Sequence, residues 1–505
     1  MAEQVEVVTI GSGIAALTAA ALLGRAGLKV LVLEQLEAAG GYAHAFHRTT
    51  ERGTYVFDPA VHLLADPPLW QGIFDFLGIG DSCRLIPSSH FYRAVLPSLT
   101  LDLPAEREAF VDAHVEAFPA EEKSLRRFWS LCETVHREAH ELPPTMSFSG
   151  LDEIATLAPN LLRYRKATLG EVLDEYIEDP HAKSLCAASW HYLGLPPSQA
   201  SFMTFAQLTS VHTTTGVVAV EGGVQRIVDA MVESIERDGG EVRTGALVSD
   251  VLLREGRAVG VRVNGEEISA DTVLSNADWF QTFGSLVPRE ALPAAYTRRF
   301  ERLVPSGSGF CVFAATGADL AAHKPPVQIF TFDSWDHEET YRRTQGGDFA
   351  LRWITPASVL DPSVAPAGEH VVVSTVTVPY DIGRPWPEIV DACRDGILAA
   401  IENALPGFSD ELRFVEVATP PTFERYSLNS NGAIHSWEQT LAQTESKRPP
   451  QMTPIDGLFL CSQWTNIGGG FLRAFVCGIS TAKMLLARRG KQDAVPDFRS
   501  VPVPP

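Results

Sequence analysis

Cysteine is scarce and irregularly placed in this chain of 505 residues. The seven cysteines are odd in number, lie far apart, and no two of them have C-x-x-C spacing. This pattern argues against a disulfide framework and against a zinc site. We therefore expect buried, reduced thiols and no bound metal.

Long uncharged apolar runs and an excess of positive charge are also missing. The most apolar stretch, Ala15–Leu33, is interrupted by Arg25 and Lys29, so no membrane-spanning helix is predicted. Lys plus Arg total 41 against 62 Asp plus Glu, a net charge of −21, which disfavours nucleic acid as a partner. The acidic amino terminus leads into a strand pattern and is unlike a signal peptide, so we expect a cytoplasmic protein.

The amino-terminal segment has the pattern of a β-α-β unit. Val5–Ile10 predicts a buried strand, an Ala/Leu-rich helix follows to Arg25, and Leu28–Glu34 predicts a second strand. Between the first strand and the helix stands the sequence G-x-G-x-x-A. Strand, glycines, helix and strand in this order predict a parallel sheet that binds a dinucleotide.

Each residue type in this turn meets a physical requirement of dinucleotide binding. Gly11 permits the tight turn, Gly13 lets the backbone approach a diphosphate, and Ala16 keeps the helix close to the sheet. Glu34 stands where a carboxylate accepts hydrogen bonds from a ribose. The glycines alone do not separate NAD from FAD. The candidate cofactor-binding residues of this unit are Gly11, Ser12, Gly13, Ile14, Ala15, Ala16, Glu34 and Gln35.

The remaining chain alternates in character. Helical patterns dominate residues 102–215, in the segments Phe110–Leu142, Leu151–Lys166 and Leu169–Gly194. A helix is predicted at Val224–Arg237 and a closing helix at Phe471–Arg488, after three glycines. A period of two predicts five strands of a mostly antiparallel sheet: Phe310–Ala314, Val327–Phe332, Phe349–Ile354, Val371–Val378 and Phe414–Ala418.

Further motifs follow the glycine turn along the chain: Gly40–Phe46, Phe57–His62, Glu221–Gly223, Gly239–Gly240, Val248–Val251, Ser275–Asp278, Ser358–Pro366, Gly457–Leu460 and Trp464–Gly470. In this order, from residue 7 to about residue 487, they resemble the motifs of the phytoene desaturase, carotenoid isomerase and retinol saturase family of the flavin amine oxidase superfamily. The final motif departs from the family at Ser462, Asn466-Ile467 and Phe471-Leu472-Arg473.

The resemblance implies an α/β fold with two discontinuous domains. A Rossmann-like FAD-binding domain with a parallel sheet would combine residues 1–100, 215–285 and 420–505. A substrate domain with an antiparallel sheet and helices would use 101–214 and 286–419. The cofactor would be FAD, bound additionally by Gly40, Gly41, Tyr42, His62, Val248, Asn276, Gln463, Gly470, Phe471 and Leu472.

The implied reaction is desaturation, saturation or isomerisation of a carbon–carbon bond in a hydrophobic, conjugated substrate, by hydride exchange with the flavin. His62 and His44 follow the cofactor motifs and are candidates for moving a proton. Trp464 is the third candidate catalytic residue and would form a wall beside the flavin. Further candidates for the pocket are Tyr426, Asn429, Asn431, His435, Trp437, Arg352 and Trp353.

Two other functions remain open at this point. An amine or amino-acid oxidase on the related fold would need an aromatic pair flanking the flavin and a charged anchor for the amine or carboxylate of its substrate. A non-catalytic escort protein would keep FAD as a structural element. The apolar and basic segment Leu161–Lys166 leaves peripheral membrane contact, or a carrier-bound substrate, open. Because no second glycine-rich unit for NAD(P)H is visible, an external electron donor or acceptor is expected.

Overall fold

The first sheet has seven strands and carries the amino terminus. The computed structural model describes residues 3–142 and 155–498. Five strands of this sheet run parallel to one another. The other two, Arg257–Val263 and Val248–Arg254, are antiparallel and join the sheet by pairing with Glu266–Ser275. In spatial order the strands are Glu241–Arg243, Val30–Leu33, Glu3–Ile10, Glu266–Ser275, Arg257–Val263 and Val248–Arg254, with Leu458–Leu460 also paired to Glu266–Ser275.

Three helices pack together against this sheet in one apolar core. They are the first helix Ile14–Arg25, the helix Gln225–Arg237 and the closing helix Phe471–Arg488. The first and closing helices approach closely at Gly478. A Cβ atom there would lie 2.4 Å from the carbonyl oxygen of Ala15. The two glycine-preceded helices are therefore held side by side by backbone contact.

The second sheet also has seven strands and is antiparallel except at one pair. In spatial order they are Leu412–Ala418, Ser308–Thr316, His370–Val378, Leu351–Thr355, Ile329–Phe332, His90–Leu96 and Leu99–Pro104. All five strands predicted for residues 305–420 are present. The two strands between residues 90 and 104 were not predicted in this sheet, because only the parallel pairing of His90–Leu96 with Ile329–Phe332 brings them there. Residues 90–100 thus pair with the second sheet, although the sequence assigned 1–100 to the cofactor domain.

The helical segment covers one end of the second sheet with a separate apolar core. The helical segment predicted over residues 110–142 is interrupted at Phe118, because Pro119 begins a short 3-10 turn there. Of the predicted segment Leu151–Lys166, residues 151–154 lie outside the described part. The helices here are Arg107–Ala117, Glu122–Glu141, Pro159–Tyr164, Leu169–Tyr176, Pro180–Ala187 and Phe202–Thr214.

Smaller elements complete the described chain. The strands are the hairpin Phe46–Thr50 with Gly53–Phe57 and the small sheet Leu64–Ala65, Val217–Val220 and Leu85–Ser88. The remaining helices are Pro67–Leu77, Trp279–Gln281, Ala294–Phe300, His337–Gln345, Ala357–Leu360, Trp386–Ala404 and Pro420–Ser427. Across residues 3–142 and 155–498, no helix has the length and apolarity needed to cross a bilayer.

The α/β architecture predicted from the sequence is confirmed: a mainly parallel sheet with helices, and a mostly antiparallel sheet with its own helical cover. The described cysteines are all free, six of them buried. Within the same residues, no cluster of three metal-ligating side chains occurs. The division into two domains remains a prediction.

Replacing Gly478 with alanine tests the close helix contact. We expect Gly478→Ala to lower the free energy of unfolding by about 1–3 kcal/mol, because the added methyl group meets a backbone carbonyl that cannot move aside. Gly396→Ala is the matched control, since a Cβ there meets nothing within 4 Å on an exposed helix. That variant should be as stable as the parent or gain up to about 1 kcal/mol. Equal destabilisation of both variants, measured by urea denaturation, would contradict the contact.

Candidate cofactor and substrate site

A cavity of about 510 Å³ lies between the two sheets. Its floor is formed at the carboxyl ends of Glu3–Ile10 and Val30–Leu33, where parallel sheets of this kind bind their ligands. Its opposite wall includes residues of the second sheet, among them Leu351, Trp353 and Thr375. One space is thus continuous from the glycine turn to the antiparallel sheet.

Glu34 holds the glycine turn in place. Its carboxylate accepts hydrogen bonds from the Ser12 N–H at 2.9 Å, from the Ser12 hydroxyl at 2.5 Å and from the Leu36 N–H at 2.9 Å. The Ser12 oxygen in turn accepts the Gly40 N–H at 3.0 Å. Glu34 is buried and lines the cavity. The acid thereby connects the first glycine segment to the Gly40-Gly41 segment.

Asn276 joins the same turn to the last motif. Its Oδ1 accepts the Gly13 N–H at 3.0 Å, and its Nδ2 donates to the Cys461 carbonyl at 2.6 Å. A Cβ atom on Gly13 would lie 2.4 Å from that Oδ1. A side chain at position 13 would therefore collide with the asparagine, which explains the glycine there.

Two helix amino termini face the cavity without side-chain caps. The first helix begins after Gly13 and the closing helix after Gly470, and neither has a capping side chain or an acidic residue in its first turn. A Cβ atom on Gly470 would meet nothing within 4 Å. Uncapped N–H groups carry partial positive charge and suit the diphosphate and the pyrimidine edge of a flavin. The residues present therefore fit FAD.

The structure brings most of the predicted cofactor residues to this one cavity. Those that line it are Gly11, Ser12, Gly13, Ile14, Ala15, Glu34, Gln35, Gly40, Gly41, Tyr42, Val248, Asn276, Gln463, Gly470 and Phe471. Ala16, His62 and Leu472 do not line it. Ala16 is fully buried in the first helix, and Leu472 packs against the apolar core of the first sheet.

The two predicted catalytic histidines lie beside the cavity and do not line it. His44 places its Nδ1 3.2 Å from the Gln225 side-chain oxygen. His62 lines a small neighbouring cavity that also contains Asp58. Burial lowers the pKa of His62 to about 4 and raises the pKa of Asp58 to about 7. The His62 ring contacts Trp353 edge to face, with ring centres 5.7 Å apart, so it reaches the cavity only through that tryptophan.

Trp464, the third predicted catalytic residue, forms a rigid part of the cavity wall. Its indole N–H donates to the Asn429 side-chain oxygen at 3.3 Å, and its carbonyl accepts the Trp437 indole N–H at 2.9 Å. The two indole rings meet at 86° with centres 4.8 Å apart.

Tyr42 donates to the Ala433 carbonyl at 3.0 Å, and burial raises its pKa to about 12.

The other pocket candidates separate into two groups. Tyr426, Asn429, His435 and Trp353 line the cavity. Asn431, Trp437 and Arg352 do not. Arg352 instead forms an ion pair with Asp333, which agrees with the ordinary role of a strand arginine.

Sequence reasoning missed several residues on the substrate side of the cavity. These are His191, Gln281, Leu351, Thr375, Val376 and Thr377. His191 lies in the helical segment within Trp190-His191-Tyr192, where an aromatic run predicts only a core. Its position against the second sheet depends on how that segment packs, which no local pattern indicates.

Comparison with known proteins identifies related sequences along nearly the whole chain. The family model for flavin-containing amine oxidoreductases matches residues 14–486. Prolycopene isomerase 1 of an Oncidium hybrid cultivar is 26% identical, covering 98% of this chain and 86% of its own. The lycopene-forming phytoene desaturase of Pseudescherichia vulneris is 27% identical, covering 95% and 98%. The all-trans-retinol 13,14-reductase of Danio rerio is 25% identical, covering 94% and 86%.

Solved structures share the fold. A double mutant of putrescine oxidase superposes with a TM-score of 0.67 at 15% sequence identity, over 96% of this chain and 100% of that one. At this identity the likeness concerns the architecture alone.

Asn276→Ala tests the tie between the glycine turn and the last motif. Because the Gly13 N–H and the Cys461 carbonyl both lose their partner, we expect the free energy of unfolding to fall by about 1–3 kcal/mol. Gln71→Ala is the control, as its side chain bonds Asp75 on the exposed surface and its loss should change stability by less than about 0.5 kcal/mol. The free energies of unfolding of the parent and the two variants would be measured by urea denaturation. Equal values for Asn276→Ala and the parent would contradict a stabilising role for the two hydrogen bonds of Asn276.

The neutral buried state of His62 predicts a pH effect on stability. Its folded pKa is about 4, while the unfolded residue titrates near ~6.5, so the unfolded chain takes up the proton first on acidification. The contribution of His62 to the free energy of unfolding is therefore fully present above about pH 6.5. It decreases as the pH falls toward 4, by up to about 1.4 kcal/mol per pH unit. His62→Phe should flatten the acid side of a stability-against-pH curve by that amount. Replacing the exposed His181 with phenylalanine should leave the acid side of the curve unchanged. Identical curves for His62→Phe and the parent would contradict the lowered pKa of His62.

Proposed function

The chain belongs to the flavin-containing amine oxidoreductase family, and from that premise we propose how its cavity is used. The protein is an FAD-dependent oxidoreductase that acts on a carbon–carbon bond. We propose that the cavity holds FAD along its glycine turn and a hydrophobic, conjugated substrate against the second sheet. Desaturation, saturation and isomerisation are all compatible with this arrangement.

One observation carries the proposal: a single cavity connects the two uncapped helix amino termini to an aromatic and aliphatic wall. The turn before the first helix would bind the diphosphate, and Glu34 would accept the ribose hydroxyls. The N–H groups after Gly470 would stabilise negative charge on the flavin's pyrimidine edge. When bound, FAD supplies a ring that accepts or donates a hydride.

The chain's own residues would position the substrate and exclude water. Trp464 is held on both sides by hydrogen bonds, so we assign it as a rigid wall rather than a proton donor. His435 lines the cavity, and burial lowers its pKa to about 4. It is therefore neutral near pH 7 and presents no charge to an apolar substrate. His62 and His44 remain candidate catalytic residues, acting from outside the cavity lining.

The amine-oxidase alternative fits the cavity less well. Among the described residues that line it, Glu34 is the one carboxylate, and it belongs to the glycine turn assigned above to the cofactor. No lysine or arginine lines the described cavity either. A protonated amine or an amino-acid carboxylate would thus lack the paired charge that a buried ion requires. An uncharged substrate is the better match.

The partners and the location of the protein also remain proposals. In Pro159–Tyr164 the apolar residues Leu161 and Tyr164 are buried, and Arg163 pairs with Glu175 at 2.6 Å. This leaves Arg165 and Lys166 for contact with a membrane surface or a carrier protein. We further propose a cytoplasmic location and an external electron donor or acceptor.

Anaerobic spectroscopy of the FAD-loaded protein tests the proposed function. Phytoene and all-trans-retinol would be added to the oxidised and to the dithionite-reduced protein, with putrescine as the amine probe. We expect a polyene to bleach the oxidised flavin, to restore absorbance to the reduced flavin, or to be isomerised as seen by chromatography. Putrescine should do none of these. Bleaching by putrescine alone would favour an amine oxidase, and a flavin that no reductant can reduce would favour an escort protein.

A further inference from the structure

One arginine is fully buried near the last motif without a carboxylate partner. Arg448 is 1% exposed, and its Nη1 has no hydrogen-bond partner within the described chain. The rest of the guanidinium donates to uncharged oxygens at 2.6–3.2 Å, namely the carbonyls of Trp437, Glu438 and Gln443 and the side chain of Gln439. The described residues therefore leave this buried positive charge without a counter-charge.

Arg448 keeps its charge at neutral pH in spite of this burial. Burial and the nearby charge of Arg473 lower the pKa of Arg448 to about 9, so the guanidinium remains protonated near pH 7. A buried cation loses its hydration, and neutral oxygens restore only part of that loss. An anion close to Arg448 would therefore be stabilised by it.

Arg448 lies directly behind the glycine loop that precedes the closing helix. A Cβ atom on Gly468 would lie 3.7 Å from its Nη1. The next glycine, Gly469, packs so closely on His435 that a Cβ atom there would lie 2.1 Å from the His435 carbonyl oxygen. Both His435 and Gly470 line the cavity. Arg448 is thus behind a loop whose last glycine faces the cofactor and substrate space.

A second arginine brings positive charge to the same loop. Arg473 lies in the first turn of the closing helix, Phe471–Arg488, and a Cβ atom on Gly468 would lie 3.1 Å from its Cδ. A cation at this end of a helix is unfavourable, because the helix dipole is already positive there. Two guanidinium groups and an uncapped helix amino terminus therefore meet at residues 468–470. Charge of one sign gathered at one place indicates a negative group that it stabilises.

We propose that Arg448 and Arg473 stabilise the negative charge that FAD acquires on reduction, and so raise the reduction potential of the bound cofactor. The proposal rests on the proposed function and concerns the same site. A hydride brings two electrons and one proton to the flavin ring, so the ring gains one negative charge. The N–H groups after Gly470 are assigned above to the pyrimidine edge where this charge collects. Both arginines lie next to that helix start, in a water-poor interior where a charge acts over a long distance.

The reduction potential of the bound FAD tests the proposal. It would be measured by anaerobic titration against a reference dye for the parent, Arg448→Gln, Arg448→Lys and Arg473→Gln. Loss of one charge should lower the equilibrium constant for two-electron reduction about tenfold, which lowers the potential by about 30 mV. We expect this shift in both glutamine variants. Arg448→Lys keeps the charge and should retain most of the parent's potential.

The chain offers a matched control close to Arg448. Arg299 is exposed and donates to the Ser446 carbonyl at 2.9 Å. Because water and salt screen an exposed charge, Arg299→Gln should leave the potential unchanged. A purely structural role for Arg448 predicts another result. In that case Arg448→Gln and Arg448→Lys would both lower the stability of the protein, and neither would change the potential of the FAD that remains bound.

The outcomes separate this proposal from the proposed function. Equal potentials for the parent, Arg448→Gln and Arg473→Gln would overturn the role of the two arginines, while reducible FAD would leave the proposed function in place. If Arg448→Gln does not retain FAD, an unchanged potential in Arg473→Gln is sufficient to overturn it. A parent protein whose bound flavin cannot be reduced would remove the proposed function and this proposal together.

Discussion

The hydrogen bonds of Asn276 are the constraint on which the rest of the site depends. Through them, residues at positions 13, 276 and 461 meet although they are far apart in the chain. The parallel pairing of Glu266–Ser275 with both Glu3–Ile10 and Leu458–Leu460 brings these strand ends to one edge. Because both glycine-preceded helices start near this edge, their uncapped amino termini face the same cavity.

The absence of paired charge within the cavity explains its chemistry. Apart from Glu34, the described residues of its walls are aliphatic, aromatic or neutral polar, and burial keeps His191 and His435 unprotonated near pH 7. An ion entering such a space would lose its hydration without gaining a counter-charge. A conjugated, uncharged molecule loses little by the same transfer and gains contact with the rings of Trp353 and Trp464.

Local sequence patterns predicted those helices and strands whose structural signals lie within the element and its flanking residues. The strand Val5–Ile10, the first helix and the closing helix Phe471–Arg488 are all present, since their periodicity and flanking glycines are local properties. The strands at 90–104 were missed as members of the second sheet because their partner, Ile329–Phe332, lies more than two hundred residues later. The helix predicted over 110–142 was divided because a proline follows Phe118.

The sequence alone determined the dinucleotide-binding turn, because turn geometry requires particular residues at fixed spacing, and its family resemblance implied FAD. It also predicted the amino-terminal β-α-β unit and the closing helix. The tertiary structure decided which side chains share the cavity. It placed His44 and His62 beside the space and not in it, paired Arg352 with Asp333, and brought His191 to the substrate wall. The physical reason is that a cavity wall is a product of packing between distant segments, and burial, hydrogen-bond partners and pKa shifts exist only after those segments meet.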